Sequence, residues 1–163
     1  MRAAIAFALS DDPEAERRVL VRLGELLELL NMDKEEQAID PDTYTGNPAD
    51  YPDWLRRSFG NKRLVEEWRD LLELEPEDVA GWDFESWYDD LMQCLSHHFE
   101  LEQSDEPGRW ALTFEVDEKH YGGDMSHAWL LLAAGGSALE CKDIVDAATS
   151  NPLGTSEEPP QQS

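Results

Sequence analysis

Positive charge is scarce in this chain. Its 163 residues include 13 Lys and Arg against 37 Asp and Glu, for a formal net charge of −24. A field of that sign repels nucleic-acid phosphates and anionic lipid headgroups, so neither direct nucleic-acid binding nor membrane-surface binding is expected. Cysteine is also rare. Cys94 and Cys141 are the 2 present, which excludes a disulfide scaffold and makes reduced thiols in a cytoplasmic setting the expectation. No apolar run approaches the roughly 20 residues that span a bilayer. The apolar opening, Met1 to Leu9, runs into Ser10-Asp11-Asp12-Pro13 without a small-x-small cleavage pattern. It is therefore read as part of the fold.

The familiar catalytic and ligand-binding spacings are missing as well. There is no Cys-x-x-Cys, no His-Glu-x-x-His, no Gly-x-Ser-x-Gly elbow and no phosphate-cradling glycine loop. The stretch from Asp40 to Asn47 faintly suggests a calcium loop. However, counting from Asp40, Gly46 falls seventh and Tyr51 twelfth, whereas an EF-hand needs glycine sixth and glutamate twelfth. Neither a cofactor, a resident metal nor catalysis is expected.

Hydrophobic material is present in quantity. Apolar residues make up 40% of the chain, aromatics 9%, and there are 6 Trp. That is enough to build one core without staples and too much for a disordered chain. One α+β domain is expected over residues 1–150, with a disordered Pro-, Ser- and Gln-rich tail at 151–163.

Hydrophobic spacing places the elements. Val19, Leu23, Leu26, Leu27 and Leu30 recur at helical intervals, so a helix over 14–30 is predicted, capped by Ser10, Asp11 or Asp12. Pro41, Gly46, Pro48 and Pro52 mark residues 31–52 as a loop. A short helix near 53–59 ends at Gly60, and Asn61 caps another over 62–74. Asp83 caps a helix over 84–101 with Phe84, Trp87, Tyr88, Leu91, Leu95, His98 and Phe99 inward.

The period then changes to 2. Trp110, Leu112, Phe114 and Val116 alternate with Ala111, Thr113, Glu115 and Asp117, which predicts a half-buried strand. His127–Ala134 is read as a more central strand, between turns at Gly122-Gly123 and Gly135-Gly136. Ser137 and Glu140 form a capping-box pattern that predicts a final helix reaching about Ala148. Two strands alone make a marginal sheet, so residues 2–8 are expected to supply a third. The architecture expected is a helical N-terminal two-thirds packed on a small antiparallel sheet.

Two constellations carry the functional expectations. From Asp70 to Glu106 there is no Lys or Arg at all. Such a block is costly by self-repulsion unless water, salt or a basic partner screens it. Glu85 and Asp89 lie one helical turn apart with Asp90 beside them, and Trp82 at the helix entrance could anchor an interface. Asp78, Trp82, Asp83, Glu85, Asp89 and Asp90 are therefore the predicted contact residues. The expected partner is a basic protein such as a nuclease, another toxin or a nucleic-acid-binding protein. Toxin-immunity proteins and anti-defence proteins that imitate nucleic acid share this charge description, an analogy of charge alone. An acidic accessory subunit without a dedicated site is the plainer alternative.

The other constellation is Cys94, His97, His98, His120 and His127, whose donor types suit zinc. Cys94 is expected in the core and His97 on the surface. A metal-binding enzyme or regulator built on these residues is the competing function class.

Overall fold

The computed structural model describes residues 2–40, 48–94, 96–116, 124–139 and 145–146. The small alternating residues at the start of the chain form β1 (Arg2–Ala8), with Ala3, Ile5 and Phe7 buried. The expected third strand is thus present, and it lies inside the sheet. The order is β2 (Ser96–Gln103), β3 (Arg109–Val116), β1, β4 (Val145–Asp146), with every pairing antiparallel. Leu112, Phe114 and Val116 of β3 face the core as their period requires. The fold is α+β.

Helix α1 (Pro13–Ile39) begins where the signals place it. Asp12 accepts the Glu14 N–H and Pro13 occupies the first turn. It buries Val19, Leu23, Leu26, Leu27 and Leu30 against β2 and α6. It also runs nine residues past the predicted end, because nothing from Asn31 to Ile39 breaks a helix. Asp40, the residue before Pro41, ends it, as pre-proline sterics dictate. A 3₁₀ turn (Pro48–Asp50) leads into α2 (Asp53–Ser58) and α3 (Lys62–Leu72), the latter capped by Asn61. Glu75 and Asp78 close a reciprocal capping box on the short helix α4 (Pro76–Val79).

Two predicted elements are corrected. The helix expected over 84–101 is helix α5 (Phe84–Gln93) followed by strand β2. Phe99 satisfies a period of 2 as well as one of 3.6, and β3 needs a partner on its free side, so tertiary pairing decides. The strand expected at His127–Ala134 is helix α6 (Asp124–Ala134). Its apolar run is buried on nearly all sides, with Ala128, Trp129, Leu130 and Leu131 fully enclosed. Such a run has no readable period, and Leu and Ala favour the helix.

The end of the chain also departs from expectation. Ser137 does not start a helix; its backbone exchanges hydrogen bonds of 2.7 and 3.0 Å with Ala8. Val145 and Asp146 then pair with β1 as a strand. The rest of the predicted final helix, the calcium-like loop, the Gly122-Gly123 turn, His120, Cys141 and the tail lie outside the described residues.

α6 is the hub of the helical layer and meets α1, α2, α3 and α5. Trp129 stacks on Phe59 with ring centroids 5.2 Å apart and meets Trp68 edge-on at 5.1 Å. The three fully buried indoles have their N–H groups satisfied, with Trp68 donating to the Met125 carbonyl, Trp87 to that of Ser126, and Trp129 to Ser58 Oγ, whereas the enclosed Nε1 atoms of Trp54, Trp82 and Trp110 find no acceptor among the described residues.

Two glycines test this packing with opposite signs. Gly135 has φ +117, and a Cβ there would lie 2.8 Å from Val19 Cγ2. Gly135→Ala is expected to destabilise the protein by about 1–3 kcal/mol. Gly24, inside α1, has nothing within 4 Å of its missing Cβ. Gly24→Ala is expected to stabilise it by about 0.5–1 kcal/mol. Urea unfolding curves of the two variants check both signs.

Candidate functional site

The six predicted contact residues fall into different environments. Asp83 caps α5 by accepting the Ser86 N–H at 2.8 Å. That backbone hydrogen bond holds its carboxyl below the usual carboxylate range. Asp78 accepts the Glu75 N–H at 3.0 Å as half of the α4 capping box. Asp90 turns inward and accepts from the Ser126 hydroxyl of α6 at 2.6 Å. These three carboxylates therefore hold helix ends and helix contacts.

Glu85 and Asp89 remain exposed on the outer side of α5, with Trp87, Tyr88 and Leu91 buried behind them. Like charges at this spacing repel. Among the described residues, no cation lies within ion-pairing distance of Glu77, Asp78, Asp83, Glu85 or Asp89. Trp82 is half-buried rather than a free anchor. Its ring lies 4.7 Å from that of Trp68 and 6.2 Å from that of Trp129.

The Cys/His set divides in two across the sheet. Cys94, Ser96 and His127 lie on the core side, where Cys94 Sγ is 2.9 Å from Ser96 Oγ, itself 2.9 Å from His127 Nε2. Ser96 is 1% exposed and His127 0%, so no substrate reaches this chain of groups. The His127 ring stacks on Phe114 at 4.6 Å. Burial, and secondarily the Lys34 ammonium, push its pKa down to about 3.

Lys34 was expected in a loop. On α1 it instead reaches the end of α5, where its ammonium donates to the Cys94 carbonyl at 3.0 Å and the Met92 carbonyl at 3.4 Å. It supplies the cation that the last turn of α5 lacks in its own sequence. Burial lowers its pKa, with Cys94 opposing. Beside it, Asp33 Oδ2 accepts the hydroxyls of Tyr51 and Tyr88.

His97 and His98 lie on the other face of the sheet, so His98, expected inward on a helix, is exposed on a strand instead. The β2–β3 register shifts between His97 and Glu100, and His98 has a left-handed φ of 56°. In a regular strand, neighbouring side chains point to opposite faces. The bulge brings both imidazoles to the same side, 4.7 Å apart, over Glu115 of β3. His98 Nδ1 lies 3.3 Å from Glu115 Oε2, and His97 Nε2 lies 4.0 Å from Oε1. Arg2 adjoins them, donating to Thr113 Oγ1 at 2.7 Å and pairing with Glu100 at 3.3 Å. Glu115 reads in the sequence only as one solvent-facing residue of an alternating strand.

No family model, no curated protein and no solved structure matches this chain. Among the described residues, no helix is long and apolar enough to cross a membrane.

His127 makes a testable contribution to acid sensitivity. Its native pKa lies near 3, against 6.5 when freely solvated. Between these values the unfolded chain binds the proton and the native state does not. Its stabilising contribution is therefore complete above about pH 6.5 and is lost as the pH falls toward 3, by at most about 1.4 kcal/mol per unit. Unfolding free energies measured from pH 7 to 4 should fall less steeply for His127→Gln than for the native chain.

Proposed function

We propose that the protein is a non-enzymatic acidic docking protein that binds a basic protein partner through the outer side of α5 and the neighbouring turns. The observation that carries this reading is the exposed Glu77, Glu85 and Asp89 set within a stretch that has no Lys or Arg from Asp70 to Glu106. Helix capping accounts for Asp78 and Asp83, and the bond from Ser126 accounts for Asp90. Glu85, in the first turn of α5, meets the positive end of the helix dipole, but among the described residues no ion pair holds Glu85 or Asp89.

Opposite charge on a nuclease, another toxin or a nucleic-acid-binding protein would relieve their mutual repulsion and steer encounter. The same field argues against direct contact with nucleic acid or anionic lipid. A cytoplasmic location fits the buried Cys94 thiol. Burial of the Cys94–Ser96–His127 chain favours binding over nucleophilic catalysis at those groups.

The test compares the native chain with Glu85→Lys/Asp89→Lys as bait in cell lysate. The native chain should recover a basic protein that the variant does not. With that protein purified, the association rate should fall about tenfold or more from low to moderate salt. Equal recovery by both baits, or an association rate indifferent to salt, would overturn the reading.

A further inference from the structure

We propose that His97, His98 and Glu115 form a site for one divalent transition-metal ion of the zinc class, on the outer face of the sheet where edge strand β2 pairs with β3. Two imidazole nitrogens and a carboxylate oxygen, one donor atom from each residue, lie within 4.8 Å of one another. Calcium and magnesium prefer all-oxygen shells, whereas two imidazoles and one carboxylate suit zinc and its neighbours.

The spacing suits a small ion. Metal–ligand bonds near 2.0–2.1 Å in a tetrahedron set neighbouring donors about 3.3 Å apart. His98 Nδ1 is 3.3 Å from one Glu115 oxygen, and His97 Nε2 is 4.0 Å from the other. With all three donor atoms within 4.8 Å of one another, closing the set to tetrahedral spacing asks at most about 1.5 Å of any donor pair, within reach of side-chain rotation. His98 and Glu115 are 58% and 48% exposed, which leaves a further coordination position open to water or to a donor from another molecule.

The backbone bears on the same point. A non-glycine residue at φ 56° costs about 1 kcal/mol or more, and such outliers concentrate where a side chain must be re-aimed. Here the outlier is itself a donor, and without the bulge the two imidazoles would face opposite sides of the sheet. Arg2 braces Glu115 from the flank, with its guanidinium 4.0 Å from the carboxylate, while its shorter bonds go to Thr113 and Glu100. The strongly negative field of the whole chain also concentrates cations near the site.

The experiment uses the full chain without a polyhistidine tag, stripped with chelator and titrated with Zn²⁺ by calorimetry in moderate salt. Co²⁺ absorbance serves as a second readout of imidazole ligation. The native chain should bind one equivalent. His98→Gly removes an imidazole while giving the backbone a residue at ease at positive φ, so it should fold at least as well and bind tenfold more weakly or worse. His97→Ala and Glu115→Gln should show losses of the same order. Glu85→Lys/Asp89→Lys should leave the stoichiometry at one, which separates this site from the α5 surface.

Diffuse binding to surface carboxylates would look different, being weak, erased by salt and equal in the native chain and His98→Gly. That result would overturn the proposal. So would tight binding that survives both His98→Gly and Glu115→Gln.

Discussion

The fold depends on enclosing one apolar helix. α6 has no polar face to offer water, so α1, α2, α3 and α5 must all close around it. Trp129 lies at the centre and brings its neighbours Phe59, Trp68 and Trp82 into one cluster. Burying this many large rings in one place is worth more than the area alone suggests, because edge-to-face pairs add their own attraction. It also creates a polar problem, since every indole carries a donor. For Trp68, Trp87 and Trp129 the solution is local, while the Trp82 donor stays without an acceptor among the described residues. The carbonyls of Met125 and Ser126, in the first turn of α6, accept from Trp68 and Trp87, and the small α2 residue Ser58 accepts from Trp129. Ser58 is buried for this reason although it is polar.

This constraint explains which parts of the fold are legible in the sequence. Local chemistry reads correctly wherever a cap or a clear period governs. Asp12, Asn61 and Asp83 start their helices as expected, β1 alternates as its residues require, and β3 buries Leu112, Phe114 and Val116 as its period requires, with Thr113 enclosed as well. α6 does not read correctly, because a segment buried on all sides has lost the periodicity that distinguishes helix from strand. The α5–β2 junction fails for the opposite reason. Leu91, Leu95 and Phe99 satisfy a helical repeat by coincidence, and the decision rests with β3, whose free side must be paired. Lys34 shows a third limit. Its role at the end of α5 arises from a contact 60 residues away along the chain, which no local pattern contains.

The candidate sites divide in the same way. The base-free run of acids is visible in the composition, but composition cannot tell a capping carboxylate from an idle one. The structure assigns Asp78 and Asp83 to helix starts and Asp90 to Ser126. Much of the acidity of this region is therefore favourable, because carboxylates at helix N-termini meet the positive end of the macrodipole. The His corner was half visible. The residue types suit a metal but no resident metal is expected from them, because adjacent histidines in a regular element diverge, and nothing in the sequence announces a bulge or brings Glu115 beneath them.

The α5 surface and the His corner both attract cations, but through different physics. Glu85 and Asp89 are exposed on the outer side of α5, so their effect on the proposed partner would be a field. A field accelerates encounter, discriminates by sign, and weakens over about 8–10 Å as salt is added. His97, His98 and Glu115 converge on one point. Convergent donors replace a cation's water shell one ligand at a time, so they discriminate by size and softness, and salt screens them far less. The overall charge of −24 raises the local concentration of cations for both. It cannot supply the selectivity of either. Selectivity at the proposed His corner would rest on a single backbone distortion at His98 that turns two imidazoles the same way. At α5, under the proposed function, it would come from a complementary basic surface, because Glu85 and Asp89 supply charge at a fixed spacing rather than convergent donors.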